Sequence, residues 1–429
     1  MRVAFYTLGC KVNQYETQAL ERLFTGRGHT LVPFEGEADA YIINTCTVTA
    51  VSDKKSRQVI RRVRKTNPDA ILAVCGCYPQ THPQDMDALS IDLVAGTGDR
   101  TGFVELLERT WQERRPHTAL DDAFQRRTFE VLPAGGLEGR TRAMLKVEDG
   151  CVNFCTYCII PYARGPIRSL PLEEAVAQTR LLAGEGYQEL VLTGIEISSW
   201  GHEFKDGASL IDLMEAVCAA APDCRIRLGS LEPRTITEDF CRRAKELPNL
   251  CPHFHLSMQS GCDAVLARMN RKYDSARYYE SVRLLNETFD RPAITTDLIV
   301  GFPGETEEEF QQTLDFIQKC AFSAMHIFPY SKRPGTPAAK MPGQVLKTVK
   351  EDRAHRAAAV AAQMERAYLD QWVDQTVPVL FEEARNGLWR GHTTRYTEVA
   401  VSCGDNLHNQ LRSVRIENVE GSALLGELV

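Results

Sequence analysis

The stretch Ala143-Met-Leu-Lys-Val147-Glu-Asp149-Gly150-Cys151-Val-Asn-Phe-Cys155-Thr-Tyr-Cys158 decides the fold of this chain. Its first five residues read as a strand and Asp149-Gly150 as a turn, after which three cysteines crowd one loop. Thiolates are soft ligands suited to iron–sulfur clusters. Three of them on one loop can hold three irons of a 4Fe–4S cube and leave the fourth iron open. Zinc is one alternative, but a structural zinc normally takes four protein ligands, and no nearby His or Cys completes the set. Incidental packing cysteines are the other.

Further strand signals follow at Glu189–Thr193, Arg225–Gly229, His253–Ser257, Ala293–Val300 and Ser323–Phe328, with helical patterns between them. Such repeated βα units suggest a barrel or open part-barrel over 137–366, with its site at the strand C-termini. A long helix is expected over Val345–Gln371. Five short strands then predict a small antiparallel β-barrel over 373–429: Val377–Glu383, Leu388–Gly391, Glu398–Ser402, Leu411–Val419 and Leu424–Leu428.

On the N-terminal side, residues 113–136 carry charges, Pro116, Pro133, Gly135 and Gly136, and read as a connector. Gly139, just beyond, extends the same signal. Residues 1–112 alternate the strand signals Arg2–Leu8, Tyr41–Asn44, Ile71–Val74 and Ile91–Ala95 with helices at Asn13–Arg27, Thr49–Thr66 and near Gln84. That alternation argues for a parallel sheet covered by helices. The expected fold is α/β in three parts: a parallel α/β domain, a central (βα)6 part-barrel and a small β-barrel.

The 429 residues are 43% hydrophobic and 25% charged, which excludes a largely disordered chain. No apolar run approaches the roughly 18 residues of a membrane span. Met1–Cys10 lacks a signal-peptide pattern, so a cytoplasmic protein without membrane partner is expected. The net charge of −7 argues against nucleic-acid binding by the molecule as a whole, though not by a local patch. Fourteen cysteines are many for a compartment where disulfides rarely persist. Ligation explains some of them. Cys10, Cys46 and the pair Cys75/Cys77 each follow an N-terminal strand, and in a parallel sheet those loops share one edge. Burial as small apolar residues is the other reading. Cys218, Cys224, Cys241, Cys251, Cys262, Cys320 and Cys403 show no ligand spacing and read as packing residues.

The Cys151/Cys155/Cys158 motif at the end of the first strand of a (βα)6 pattern resembles the radical S-adenosylmethionine (SAM) superfamily. The resemblance implies that SAM chelates the open iron and is cleaved by an electron to methionine and a 5′-deoxyadenosyl radical. Thr7-Leu-Gly-Cys10-Lys-Val-Asn, Asn44-Thr-Cys46-Thr-Val and Gly76-Cys77-Tyr resemble the methylthiotransferases of that superfamily. This implies a second 4Fe–4S cluster on Cys10, Cys46 and Cys77, whose open iron carries the sulfur to be transferred. Within the family, Gly9-Cys10-Lys-Val-Asn-Gln-Tyr-Glu-Thr17 and Cys158-Ile-Ile-Pro-Tyr162-Ala-Arg164-Gly are similar to the branch acting on threonylcarbamoyladenosine in tRNA. The implied product carries methylthio on the adenine carbon between the two pyrimidine-ring nitrogens, next to the anticodon. A reducing electron donor and a sulfur donor are implied partners. Sister branches act on isopentenyladenosine in tRNA or on a ribosomal-protein aspartate. A non-catalytic two-cluster electron carrier that binds RNA is the reading from another class.

The resemblance also implies SAM-contacting residues. Thr193-Gly194-Ile195-Glu196 stands where a Gly-Gly-Glu stretch binds the methionine ammonium, with Thr for the first Gly and the acid one place later. Ser257 and Gln259 end the fourth strand beside Gly261, and Arg271 is a candidate for the methionine carboxylate. Gly301 begins a stretch implied to support the adenine, although Thr306 and Glu309 there also form a capping box. For RNA, Lys54, Arg57, Arg61 and Arg64 recur at three- and four-residue steps on one face of the second helix. That stripe suits phosphate contacts, a solvated charged face being the alternative. Arg385, Arg390, Arg395 and Tyr396 offer a local platform on the C-terminal barrel, which carries five arginines against eight acids.

Overall fold

The N-terminal sheet is fully parallel and covered on both faces. In the computed structural model, which describes residues 1–135 and 141–429, it comprises β1 (Arg2–Thr7), β2 (Thr30–Leu31), β3 (Ala40–Thr45), β4 (Ile71–Gly76), β5 (Leu93–Ala95) and β6 (His117–Ala119). The spatial order is β2-β1-β3-β4-β5-β6. Strands buried on both faces read as continuous apolar runs, and β3 and β4 are buried throughout. Helices α1 (Lys11–Gly26) and α4 (Arg100–Glu113) cover one face through Leu20, Phe24, Phe103 and Leu107. Helices α2 (Ala50–Thr66) and α3 (Cys77–Thr81) cover the other through Val59, Ile60, Val63 and Tyr78. The segment expected to be a bare connector contributes β6, whose backbone completes the sheet edge beside β5. Residue 136 of that connector, and the first expected barrel residues 137–140 with Gly139, lie outside the described residues.

The central part begins with β7 (Arg142–Lys146), followed by a short antiparallel pair, β8 (Glu148–Asp149) and β9 (Arg168–Ser169), with α5 (Ile160–Arg164) between them. Then come α6 (Leu172–Gly184), β10 (Glu189–Thr193), α7 (Leu210–Ala220), β11 (Arg225–Leu228), β12 (Ser230–Leu231), α8 (Glu238–Lys245) and β13 (His253–Leu256). The series closes with α9 (Asp263–Arg268), α10 (Ser275–Thr288), β14 (Ala293–Val300), α11 (Glu307–Cys320) and β15 (Ala324–Pro329). All barrel pairings are parallel, in the orders β11-β10-β7 and β12-β13-β14-β15, and an isolated bridge ties Ile226 of β11 to Leu250 in the segment that leads into β13. Among the described residues β7 and β15 do not pair, so the part-barrel is open. On β14, Thr295, Asp297 and Ile299 are half-buried while the alternate residues are buried, so the strand turns one face to the lumen and one to the helices. The Thr306/Glu309 capping box starts α11.

Helix α12 (Lys347–Asp370) leads to β16 (Thr376–Arg385), β17 (Leu388–Thr393), β18 (Glu398–Val401), β19 (Leu411–Glu420) and β20 (Ala423–Leu428). They form a closed barrel in the order β16-β17-β18-β20-β19. It departs from the expected antiparallel barrel in one pairing, because β18 and β20 run parallel.

Candidate active site

The cysteine loop after β8 is pinned from both sides. Cys151 N donates to Gly165 O at 3.0 Å, Thr156 N to Met269 O at 3.0 Å, and Asn270 Nδ2 to Phe154 O at 3.0 Å. Gly150 has φ 95°, and a Cβ there would meet Pro166 O at 2.0 Å, so glycine is required at the turn. Arg271 Nη1 lies 3.2 Å from Cys155 Sγ, and its Nη2 lies 2.6 Å from Glu232. The guanidinium sets a positive charge against that sulfur. Burial pushes the Cys158 thiol up to about 12 and raises Cys151 as well. A coordinating metal deprotonates such thiols outright.

Glu196 lies beside this loop. With Val152, Asn153, Ser198 and Glu232 it lines a cavity of about 530 Å³. Its amide donates to Glu148 Oε2 at 2.7 Å and Ser199 donates to its carboxylate, while Oε1 has no partner among the described residues. Burial raises its pKa to about 7. An orphaned carboxylate oxygen next to three soft ligands fits a 4Fe–4S cluster with the SAM ammonium beside it.

The other expected SAM residues are placed differently. Arg271 is engaged by Glu232, Cys155 and the Ser257 carbonyl, so its guanidinium is not left open for a carboxylate. Ser257 contributes that carbonyl, which also accepts from Tyr273. Gln259, at φ 68°, uses its backbone to bridge Asp297 and Ile299. Gly301 has φ 69° and a Cβ there would meet Lys350 Cγ at 2.2 Å, while its amide already donates to Glu305 Oε2 at 2.6 Å. Its glycine is explained by turn and packing. Gly194 lines a second, larger chamber.

Cys10, Cys46 and Cys77 come together at the C-terminal edge of the N-terminal sheet, after β1, β3 and β4. Cys10 is the N-cap of α1 and Cys77 the first residue of α3. Gly9 has φ 112°, and a Cβ there would lie 2.9 Å from Cys46 Sγ, so the first two loops touch. The electrostatic influence of Cys10 and Cys46 reaches the Cys77 thiol, which burial pushes up to about 12. Cys75 instead sits in the core with Val3, Leu20 and Leu93. Cys10 is exposed and opens on the larger chamber, about 1020 Å³, which runs through the part-barrel lumen past Gly194, His255, Asp297 and His326 to Tyr396.

A buried ionic joint ties the two cysteine sites together, and sequence reasoning did not foresee it. Glu16 of α1 is 1% exposed and accepts from Arg100 at 2.7 Å, from Lys146 at 2.9 Å and from Arg164. Arg164 also donates to Asn13 Oδ1 at 2.9 Å, and Asn13 Nδ2 donates to the carbonyls of Leu8 and Thr45. Lys146 reaches Asp149 at 2.8 Å, two residues before Cys151. The cations around Glu16 hold its carboxyl well below the usual range. Asn13, Glu16 and Arg164 belong to the two stretches that carried the family likeness, the only signal that could have marked them.

The basic stripe is narrower than its spacing suggests. Arg64 donates to Asp92 at 2.6 Å and to the carbonyls of Ser90 and Pro68. Arg57 donates to Tyr78 Oη at 2.6 Å. Lys54 and Arg61 remain exposed. The platform on the C-terminal barrel is likewise mostly committed to contacts within the protein. Arg390 pairs with Glu398, Arg395 donates to the carbonyls of Asp290 and Arg291, and the Tyr396 ring lies under Arg142 and Arg227 at 5.0 and 4.8 Å.

Two family models match: the radical SAM superfamily over residues 145–317, and the family described as uncharacterized protein family UPF0004 over residues 2–96. The radical S-adenosylmethionine methyltransferase TsrM of Kitasatospora setae shares the fold with a TM-score of 0.59 at 15% identity, covering 85% of this chain and 89% of that one. Fold and site together define a radical SAM enzyme, a class that uses SAM and a 4Fe–4S cluster. Threonylcarbamoyladenosine tRNA methylthiotransferase MtaB of Bacillus subtilis (strain 168) is 41% identical over 420 residues, covering 96% of this chain and 93% of that protein. The protein of that name in Thermotoga maritima is 35% identical, covering 99% and 96%. A tRNA-2-methylthio-N(6)-dimethylallyladenosine synthase of Caldicellulosiruptor saccharolyticus is 33% identical, covering 99% and 91%. The chain belongs to the radical SAM methylthiotransferase family.

Proposed function

We propose that this enzyme transfers a methylthio group to adenine carbon 2 of N6-threonylcarbamoyladenosine beside the anticodon of tRNA. The observation that carries the reading is one chamber shared by Cys10 of the second triad and Gly194 at the margin of the first, with a volume suited to a nucleoside. Cys151, Cys155 and Cys158 would hold the SAM cluster, and Cys10, Cys46 and Cys77 a second 4Fe–4S cluster. When bound, these groups supply one-electron cleavage of SAM and the sulfur to be transferred, chemistry that side-chain acids and bases cannot perform on a strong C–H bond.

The chain's own residues bind and orient. Glu196 accepts the SAM ammonium, and Arg271 supports the charge of Cys155. The Asn13–Arg164–Glu16 joint holds the two triads at a fixed separation, which transfer between them requires. Lys54 and Arg61 lie on the helix that follows Cys46 and serve the RNA backbone. The threonylcarbamoyl branch rests on the 41% relative and on the stretches around Cys10 and Cys158. A tRNA substrate places the enzyme in the cytoplasm, served by a reducing electron donor and a sulfur donor. No helix of the described residues is long and apolar enough to cross a membrane.

Nucleoside mass spectrometry of total tRNA from a deletion strain tests this. Methylthio-threonylcarbamoyladenosine should vanish and its unthiolated precursor should accumulate. Loss of methylthio-isopentenyladenosine instead would move the enzyme to the sister branch, and unchanged tRNA would defeat the reading.

A further inference from the structure

The lumen chamber contains a cation that nothing described so far uses. Lys11 follows Cys10 and lines the chamber. Among the described residues its ammonium has no hydrogen-bond or ion-pair partner. The other cations along the lumen are matched. Arg390 pairs with Glu398, and Arg395 donates to the carbonyls of Asp290 and Arg291. His255 and His326 flank Asp297 at 3.4 and 3.2 Å. The acids Glu365 and Glu420 also line the chamber, and neither pairs with Lys11. Lys11 is exposed, and the space it lines is the chamber onto which Cys10 opens.

An unpaired ammonium on the wall of that chamber is a ready partner for a ligand anion. Threonine joined to adenine N6 through its nitrogen keeps a free carboxylate. Carbon 2 and the carbon bearing N6 flank the same ring nitrogen, so a base that presents carbon 2 to the Cys10 end projects its N6 substituent along the same chamber wall. We propose that Lys11 pairs with the carboxylate of the threonylcarbamoyl group inside the lumen and makes the enzyme selective for an anionic N6 substituent. This deepens the substrate reading above and rests on it. A dimethylallyl substituent is neutral and apolar. It would leave the ammonium unanswered, so the same residue both attracts one nucleoside and rejects the other.

The test uses the reconstituted full-length enzyme and two anticodon stem-loops. One carries threonylcarbamoyladenosine, the other the same nucleoside with its carboxylate converted to a carboxamide. The wild type should bind and turn over the carboxylate RNA at least about tenfold better, the scale of one charge-assisted hydrogen bond. Lys11→Gln should lose that preference by weakening on the carboxylate RNA alone, and Lys11→Arg should keep part of it. Affinity for the carboxamide RNA reports whether the neighbouring Cys10 site survives. Equal weakening on both RNAs, or a wild type blind to the carboxylate, overturns the role of Lys11. A wild type that methylthiolates an isopentenyladenosine stem-loop and not the threonylcarbamoyl one overturns the substrate reading itself.

Discussion

Arg164 of the part-barrel donates to Asn13 Oδ1 of the N-terminal domain at 2.9 Å, across the seam between the two cysteine triads. Asn13 in turn braces the loops of Cys10 and Cys46 through the carbonyls of Leu8 and Thr45. The separation of the two sites is therefore set by side chains meeting inside the protein, not by a linker.

Replacing Glu16, the counter-ion of that seam, should be severe. Glu16→Gln keeps shape but leaves Arg100, Lys146 and Arg164 with Asp149 and Glu130 as the remaining acids nearby. A loss on the order of 3–5 kcal/mol is expected, read from urea unfolding of the variant against the wild type. A loss below about 1 kcal/mol, typical of an exposed pair, would show that the joint contributes little.

Cys151→Ala should abolish SAM cleavage, since one of three protein ligands is gone. Anaerobic reconstitution followed by assay of 5′-deoxyadenosine checks this; formation at the wild-type rate would refute the assignment.

Cys46→Ala should separate two activities. SAM cleavage should continue while methylthio transfer stops, and bound iron should fall by about half if each triad holds an equal share. Loss of all iron would contradict the partition into two sites.

Burial pushes the Glu196 carboxyl up to about 7. The charged form favours the SAM ammonium, so SAM affinity should climb as pH rises through about 7. Glu196→Gln should flatten that climb and lower affinity at alkaline pH. A pH profile of SAM binding identical in both proteins would remove Glu196 from the SAM site.

Neutralising Lys54 and Arg61 to Gln should weaken tRNA binding and reduce the log–log salt slope by roughly 0.7–0.9 per lost phosphate contact. Arg64→Gln should instead lower stability, through the lost contacts with Asp92 and Ser90, and leave the slope alone. An unchanged slope in the double variant would make the stripe a solvated face.

The fold was legible where burial writes itself into composition. The apolar runs of β3 and β4 and the cysteine spacing at 151–158 needed no neighbours to be read. Strand β6, with the sequence His-Thr-Ala, has no apolar run and is recruited only because β5 offers an open edge. Helical spacing put Arg64 on the face of Lys54, but periodicity says nothing about Asp92 and Ser90 arriving from another segment. The same limit hid Glu16 and Arg164, whose charges make sense only once residues 148 positions apart are in contact.

The C-terminal barrel is seated in part through its own main chain. Arg225 donates to the carbonyls of His392 and Pro378, and Arg227 to those of Thr393 and Thr394. A carbonyl is present whatever residue bears it. The outward-facing residues of that module can therefore drift while its socket on the catalytic body stays as it is.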